Sequence, residues 1–404
     1  MTTTTTTPKI DLLDPASFVG GQPHDQFRWL REHEPVYRHP KPEGGSFWAL
    51  TRYADVRAVG RDHQTFSNAA GGIHVHDMEP EALAMAQRMM LYMDPPAHHR
   101  YRRLVRDPFQ PAGAEAMRER IASLATEIVD KVAPRGECDL VEEIAGELPS
   151  YVIADMLGIP LDDGRRLYHL TEKMHSANIP QEEAAAAVME MLLYAADVRQ
   201  RKLREPADDI ASALVHAQVK DHGELGAEEF NWFFLLLINA GGDTTRNAVG
   251  GGMLALFEHD SELARLRGDP DRYVPTAVEE ILRWCSPVVY MRRTALRDTT
   301  VGDVAVSEGD ALALYYGAAN RDPAVFPAAE RFDVAREPNE HIAFGGGVHF
   351  CLGVHIARVE IQVMLRELLT RLPDIEPTAA PVWLESNFIS GPQHLPVRFT
   401  PAGS

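Results

Sequence analysis

Cysteine is scarce in this chain: 404 residues carry three, Cys138, Cys285 and Cys351. They stand far apart and none belongs to a C-x-x-C pair, which excludes a disulfide framework and argues against a structural zinc site. Positive charge is short as well. Lys and Arg number 40 against 59 Asp and Glu, a formal balance of −19. That is the wrong sign for broad binding to nucleic acid or to an anionic membrane surface, although it leaves room for a local basic patch. Long apolar runs are missing too. The strongest, Phe230 to Ala240, is interrupted by Asn231 and Asn239 and falls far short of a bilayer span. The opening residues, MTTTTTTPKI, show neither a basic segment nor an apolar core, so the expectation is a cytoplasmic protein without signal peptide or membrane anchor.

What is present points to a folded, mostly helical chain. Hydrophobic residues make up 45% and charged residues 25%, the composition of a globular protein rather than a disordered one. Residues 1–10, with their Thr run, read as a disordered tail. No internal repeat or linker divides residues 11–404, which read as a single domain. Ser46–Thr51 reads as a strand, and Pro95-Pro96 opens a helix with periodic apolar positions at Tyr101, Leu104 and Val105. Helical periodicity runs through Ala114–Val132, Leu140–Leu157, Gln181–Leu203, Glu228–Phe257 and Thr276–Trp284. A strand-rich region starts near Val288 and includes Ala311–Tyr316. The expected fold class is mainly α with a minor β region near both ends. Between Asn320 and Asn339 lies an irregular stretch rich in Pro and Arg. A loop of that length is unusual in a compact domain and usually serves a purpose. Here it delivers the chain to a glycine-rich motif ending in cysteine, followed by a last helix from about Leu352 to Leu372.

That motif, residues 344–353, reads Phe-Gly-Gly-Gly-Val-His-Phe-Cys-Leu-Gly. Gly345, Gly346 and Gly347 let the main chain approach a flat partner closely. Cys351 stands at the start of the last helix, where unpaired N–H groups favour a negative sulfur, and Gly353 leaves room beside it. An axial cysteine ligand to haem iron needs these features, and thiolate ligation favours O–O cleavage. Two other readings compete: a lone cysteine is commonly a small buried hydrophobe, and a glycine-rich loop before a helix can cradle phosphate. A phosphate loop, however, wants Lys or Ser/Thr where this one has Cys-Leu-Gly.

A second motif, Ala240-Gly241-Gly242-Asp243-Thr244-Thr245, falls inside the Glu228–Phe257 helical pattern. Two adjacent glycines in a helix interior cost roughly 1 kcal/mol each relative to alanine. A window of small residues that lets a bulky planar ligand lie against the backbone would offset that cost, and a Thr hydroxyl bonding back to a carbonyl opens a helix to water. Asp243 and Thr244 do not share a helix face, so a local bulge is expected where both serve one water chain. The competing reading is a glycine-rich helix crossing with Asp243 solvated or capping.

Together the two motifs resemble the cytochrome P450 family. Phe344, Gly347, Cys351 and Gly353 match its F-x-x-G-x-x-x-C-x-G haem loop, His349 fills the basic position two residues before the cysteine, and residues 240–245 match its A-G-x-[D/E]-T-T motif. The resemblance implies the P450 fold, with haem b between a long distal helix and a proximal helix bearing the axial thiolate of Cys351. It further implies haem contacts from Ala240, Gly241, Thr244, Phe344, Gly345, His349 and Gly353. Propionate binding would fall to His98, Arg102, Arg293 and His349, since buried carboxylates need charge-assisted partners. Thr244 and Asp243 would join Cys351 as catalytic residues, supporting the proton delivery that splitting O2 requires. Glu280 and Arg283, an E-x-x-R pair, would bind the irregular stretch around Arg331 and hold the cysteine loop.

The implied activity is insertion of one oxygen atom of O2 into a hydrophobic small molecule. The chain shows no flavin or ferredoxin module, so electrons are expected from a ferredoxin and an NAD(P)H-dependent ferredoxin reductase. His99, Arg100, Arg103 and Arg106 read as a basic docking patch for such a partner. By family position, substrate contacts come from Gly71–Met93, the turn around His175–Pro180, the helix near Ala240, Val288–Met291 and Asn387–Ile389. The side chains singled out are Ile73, Val75, Met90, Val289, Met291 and Phe388, apolar as a bulky hydrophobic ligand requires, although Met and Phe serve equally as core. Residues 241–248, 292–298 and 339–345 are similar to the bacterial steroid and branched-lipid hydroxylase subgroup, which implies a steroid, terpenoid or lipid substrate. A peroxide-driven haem-thiolate enzyme and a non-catalytic haem-binding sensor are the alternatives.

Overall fold

Helix Ala227–Glu258 forms the axis of the molecule and is apolar on nearly every face, as a helix enclosed by other elements must be. Its start is fixed by Glu229, whose carboxylate accepts from the Gly226 N–H at 2.7 Å. Neighbours press against it closely. A Cβ on Gly252 would lie 2.7 Å from Ile281, and one on Gly251 3.0 Å from the Cys285 sulfur, so these glycines set the crossing with helix Pro270–Cys285. The computed structural model describes residues 8–175, 179–219 and 223–402. Most of the expected tail (1–7) and residues 176–178 of the turn after His175 lie outside them. Among the described residues no helix is long and apolar enough to cross a membrane.

The minor β region joins the two ends of the chain, as expected. Val36–Pro40 and Ser46–Leu50 pair antiparallel, and Ser46–Leu50 runs parallel to Ala311–Tyr315 with Trp48 opposite Leu312. Tyr290–Ala295 and the short Phe66–Ser67 complete a five-stranded sheet. Three helical boundaries differ from the sequence reading. Ala114–Val132 is two helices, Pro111–Ala116 and Arg118–Val132, parted at Met117. Leu140–Leu157 begins as a π turn over Val141–Ala145, with the Gly146 N–H on the Val141 carbonyl at 2.9 Å, before Glu147–Leu157 becomes α-helical; the Asp139 carboxylate caps the turn through the N–H groups of Val141 and Glu142. Thr276–Trp284 starts six residues earlier, at Pro270, where Asp269 caps it through the Arg272 N–H at 3.2 Å. Helix Leu161–His175 was not read from the sequence at all.

The stretch Asn320–Asn339 has no helix or strand of its own. Its order comes from Glu280 and Arg283, both fully buried. Arg283 grips the Glu280 carboxylate with two bonds of 2.7 and 2.8 Å and donates to the carbonyls of Asn320, Ala329 and Arg331. All five guanidinium N–H donors are thereby used. Glu280 also accepts from Arg336, the Asp333 N–H and Asn339. The expected contact near Arg331 is to its carbonyl, while its own side chain is exposed and the second guanidinium is that of Arg336. From this hub the chain reaches the cysteine loop in two steps: the Asn320 side chain accepts from the Ile342 N–H at 2.8 Å, and the Ile342 carbonyl accepts from Gly345 at 2.9 Å.

Candidate haem site

The cysteine loop is a tight hairpin closed by the Cys351 N–H on the Phe344 carbonyl at 3.0 Å. Gly345 and Gly347 both take positive φ, +71° and +67°, which side chains disfavour. Gly347 is excluded from substitution a second way: a Cβ there would lie 2.6 Å from the Gly60 carbonyl oxygen and 2.9 Å from the Arg61 Cα. The following helix runs from Val354 to Arg371 with Gly353 as its N-cap. Cys351 therefore precedes the helix rather than opening it, and the anion-favouring donor is the Gly353 N–H, which bonds the sulfur. Burial pushes the thiol up, against that N–H and the charges of Arg102 and Arg358. Next to the loop, Glu279 receives two 2.7 Å bonds from Arg358 and lies 3.1 Å from His341. Burial works against its charge, but these bonds prevail and hold its carboxyl down at about 2.

Helix Ala97–Val105 lies beside this loop. Arg102 donates to the Phe350 carbonyl at 2.7 Å, and the His98 ring lies tilted against that of His349 with centroids 4.3 Å apart. Arg293, buried on strand Tyr290–Ala295, donates to the Arg292 carbonyl and the Tyr316 hydroxyl. Burial, reinforced by Arg293, His98 and Arg102, pushes His349 down to about 2, and burial with Arg102 pushes His98 to about 4. His98 Nδ1 and His349 Nε2 are buried without a hydrogen-bond partner. Neither Arg102 nor Arg293 forms an ion pair among the described residues. Four donors at one place, none in an ion pair among the described residues, suit carboxylate anions. By contrast, His99, Arg103 and Arg106 are exposed on the outer face of the same helix, and Arg100 is half-buried.

On the other wall, the central helix is buried from Phe230 to Leu256 except at a few positions, and Ala240 alone is exposed, flanked by half-buried Asn239, Gly241 and Thr244. An accessible alanine in the middle of a buried helix marks a hollow. A Cβ on Gly241 would meet nothing closer than Ile153 at 3.6 Å, whereas on Gly242 it would press on Tyr168 at 3.2 Å. The two glycines thus divide: a side chain would fit at Gly241, in ordinary contact with Ile153, whereas Gly242 is tightly packed. The helical ladder is continuous here, so the expected bulge is not observed. Instead the Thr244 hydroxyl bonds back to the Ala240 carbonyl at 3.2 Å, and Asp243 is buried. Thr245 bonds Glu360, nine residues after Cys351, which ties this wall to the helix that follows the cysteine.

These features coincide with a match to the Cytochrome P450 family over residues 168–373 and 37% identity to the Putative cytochrome P450 126 of Mycobacterium tuberculosis across 98% of this chain and 99% of that protein. The chain belongs to the cytochrome P450 family. It is 38% identical to a methyl-branched lipid omega-hydroxylase of Mycobacterium tuberculosis over 93% of its length and 90% of the relative. It is 34% identical to a steroid C26-monooxygenase of Rhodococcus jostii over 97% and 85%. A cytochrome P450 of Mycobacterium marinum solved with pseudoionone superposes with a TM-score of 0.91 at 35% identity, covering 98% of this chain and all of that one. The P450 fold and haem with cysteine-thiolate ligation come with this membership, and the chain is a P450 monooxygenase. The residues present fit that cofactor: an anchored cysteine loop, a small-residue wall, and an anion receptor for two propionates.

The positions singled out for substrate are less uniform. Val75 and Val289 have no accessible surface and pack in the cluster around Leu12, Phe18 and Tyr290. Ile73 and Met90 are buried, while Met291 and Phe388 are half-buried, with the Phe388 ring 4.2 Å from that of His74. Sequence reading missed Arg246, Glu172, Glu360 and the Glu279 clamp. Arg246 stands three residues after Asp243, a helical spacing that could have linked them. The others are joined to the site only through the tertiary fold.

Proposed function

We propose that Cys351 supplies the thiolate ligand, that His98, Arg102, Arg293 and His349 hold the propionates, and that Ala240, Gly241, Phe344, Gly345 and Gly353 contact the macrocycle. The observation that carries this reading is the pairing of the anchored cysteine loop with four donors, His98 and Arg293 buried and Arg102 and His349 half-buried, that form no ion pair among the described residues. Once bound, the haem supplies the activation of dioxygen, with sulfur ligation favouring O–O cleavage. The protein's part is to exclude water, seat the substrate above the small-residue wall and bring protons to the reacting oxygen through Thr244 and Asp243. The reconstituted protein should show the red-shifted ferrous-carbonyl Soret band of sulfur coordination. Cys351→Ser should lose that band and the monooxygenase activity together. A wild-type carbonyl spectrum without the shift would overturn the assignment.

The substrate fitted by these walls is a steroid, terpenoid or branched lipid. Support comes from the apolar half-buried side chains Met291 and Phe388, from the steroid and lipid hydroxylases among the relatives, and from the terpenoid ketone in the Mycobacterium marinum complex. A spectral titration with one compound of each class tests it, the expected response being displacement of iron-bound water by one class only.

Electrons would come from a ferredoxin, itself reduced by an NAD(P)H-dependent reductase, docking on His99, Arg100, Arg103 and Arg106. This face is basic on an otherwise acidic protein, and it lies one helix away from the cysteine loop, joined to it by Arg102. Charge complementarity at such a surface mainly sets the association rate. Reversing Arg103 and Arg106 to Glu should slow reduction by the ferredoxin about tenfold at low salt while leaving spectral substrate binding unchanged. Unaltered reduction kinetics in that double variant would place the docking site elsewhere.

A further inference from the structure

Arg246 follows Thr245 on the central helix and is almost completely buried. A guanidinium in that position needs opposite charge, and it has two sources. One nitrogen is ion-paired with Glu172, and the other lies 4.0 Å from the Asp243 carboxylate. The group also sits 5.3 Å over the Tyr168 ring. One guanidinium therefore carries an inner carboxylate from its own helix and an outer one from helix Leu161–His175.

Glu172 leads outward. Its Oε1 accepts from the Tyr168 hydroxyl at 3.0 Å, and its Oε2 lies 3.1 Å from His169 Nδ1. Glu142 joins them: one polar atom from each of Glu142, His169 and Glu172 lies within 4.8 Å of the others. The His169 side chain is 47% exposed. Glu142 comes from the π turn Val141–Ala145, a distortion common at functional positions. Burial and the nearby Glu172 push its carboxyl up. The cation such a cluster calls for is already present as Arg246. Glu360, the other buried acid on this wall, leads nowhere comparable, because Thr245 is its only polar partner among the described residues.

Converting O2 and a C–H bond to C–OH and water takes up two electrons and two protons from outside. We propose that the protons enter at His169 and Glu142, collect on Glu172, and pass to Asp243 and then Thr244, with Arg246 as the positioning residue that holds both carboxylates on one guanidinium. The guanidinium itself gives up no proton. This rests on the assignment of Asp243 and Thr244 to proton delivery, and its test separates the two.

The holoenzyme, driven by a surrogate ferredoxin and reductase with pseudoionone as the probe, is compared with Glu172→Gln, Glu172→Asp, His169→Gln and Thr244→Ala. Glu172→Gln should raise the share of consumed dioxygen released as hydrogen peroxide about threefold and enlarge the solvent isotope effect on dioxygen consumption about twofold. His169→Gln should do the same more weakly, and Glu172→Asp should recover most of the loss. The carbonyl Soret band should not move. A crystal structure of Glu172→Gln should show the guanidinium closed on Asp243, the 4.0 Å gap shortened to a hydrogen bond. Should Glu172→Gln keep wild-type peroxide release and isotope effect while Thr244→Ala leaks peroxide, the route to solvent lies elsewhere and the proposal fails alone. Should Thr244→Ala stay fully coupled as well, the assignment of Thr244 falls first. Loss of haem from Glu172→Gln would make its role structural and also overturn the proposal.

Discussion

Arg283→Ala should cost the fold about 3–5 kcal/mol, the penalty of removing one partner from a buried ion pair, and with that the ability to retain haem. Arg283 engages five acceptors, two on Glu280 and three on main-chain carbonyls of the irregular stretch. Removing it leaves Arg336 as the one cation on fully buried Glu280 among the described residues and removes the donor to the carbonyl of Asn320, whose side chain orders Ile342 at the threshold of the cysteine loop. The damage should therefore reach the sulfur rather than remain at the pair. Arg283→Lys is expected to behave nearly as badly, because one ammonium has three donors and no planar fork. The denaturant midpoint, followed together with haem content after expression, checks both. A lysine variant that folds and keeps haem normally would show that charge alone suffices and would contradict this account.

The second large effect runs in the stabilising direction. Burial raises the Glu360 carboxyl to about 8, with Thr245 pulling weakly the other way. In the unfolded chain it titrates near the ordinary value of about 4.3. The unfolded state thus gives up this proton first, and stability is lost progressively as pH climbs from about 4 to about 8. At pH 7 the loss relative to a neutral side chain of the same shape is on the order of 3 kcal/mol. Glu360→Gln keeps an acceptor for Thr245 and carries no charge, so it should raise the melting temperature clearly at pH 7.5 and hardly at pH 5. An equal gain at both values would mean that packing, not ionisation, is responsible.

The sequence made the chemistry more legible than the supports. Cys351, the glycines before it and the acid–alcohol pair lie within short windows, so spacing alone places them together. The E-x-x-R pair was equally visible, but its partners were not: main-chain carbonyls carry no sequence signal, and Arg336 looks like any other arginine. Helix Leu161–His175 was missed although its apolar periodicity is ordinary. With it went Glu172, which meets Arg246 only because that helix packs across the central one, and His169 beside it. Val75 and Val289 illustrate the reverse difficulty. Apolar residues that pack under the sheet and apolar residues that line a cavity have the same composition, and only the tertiary placement of Leu12 and Phe18 beside them tells the two apart.

The contact between Gly347 and the Gly60–Arg61 backbone has a wider consequence. Most interfaces in a protein are cushioned by side chains that can change rotamer when a neighbour shifts. Here main chain abuts main chain, with no such cushion on either surface. A displacement of helix Tyr53–Arg61 is then transmitted rigidly to the hairpin that carries the sulfur. Grafting the first sixty residues from a related enzyme would amount to re-aiming the iron ligand, even though nothing in that portion comes within 280 positions of Cys351 along the chain.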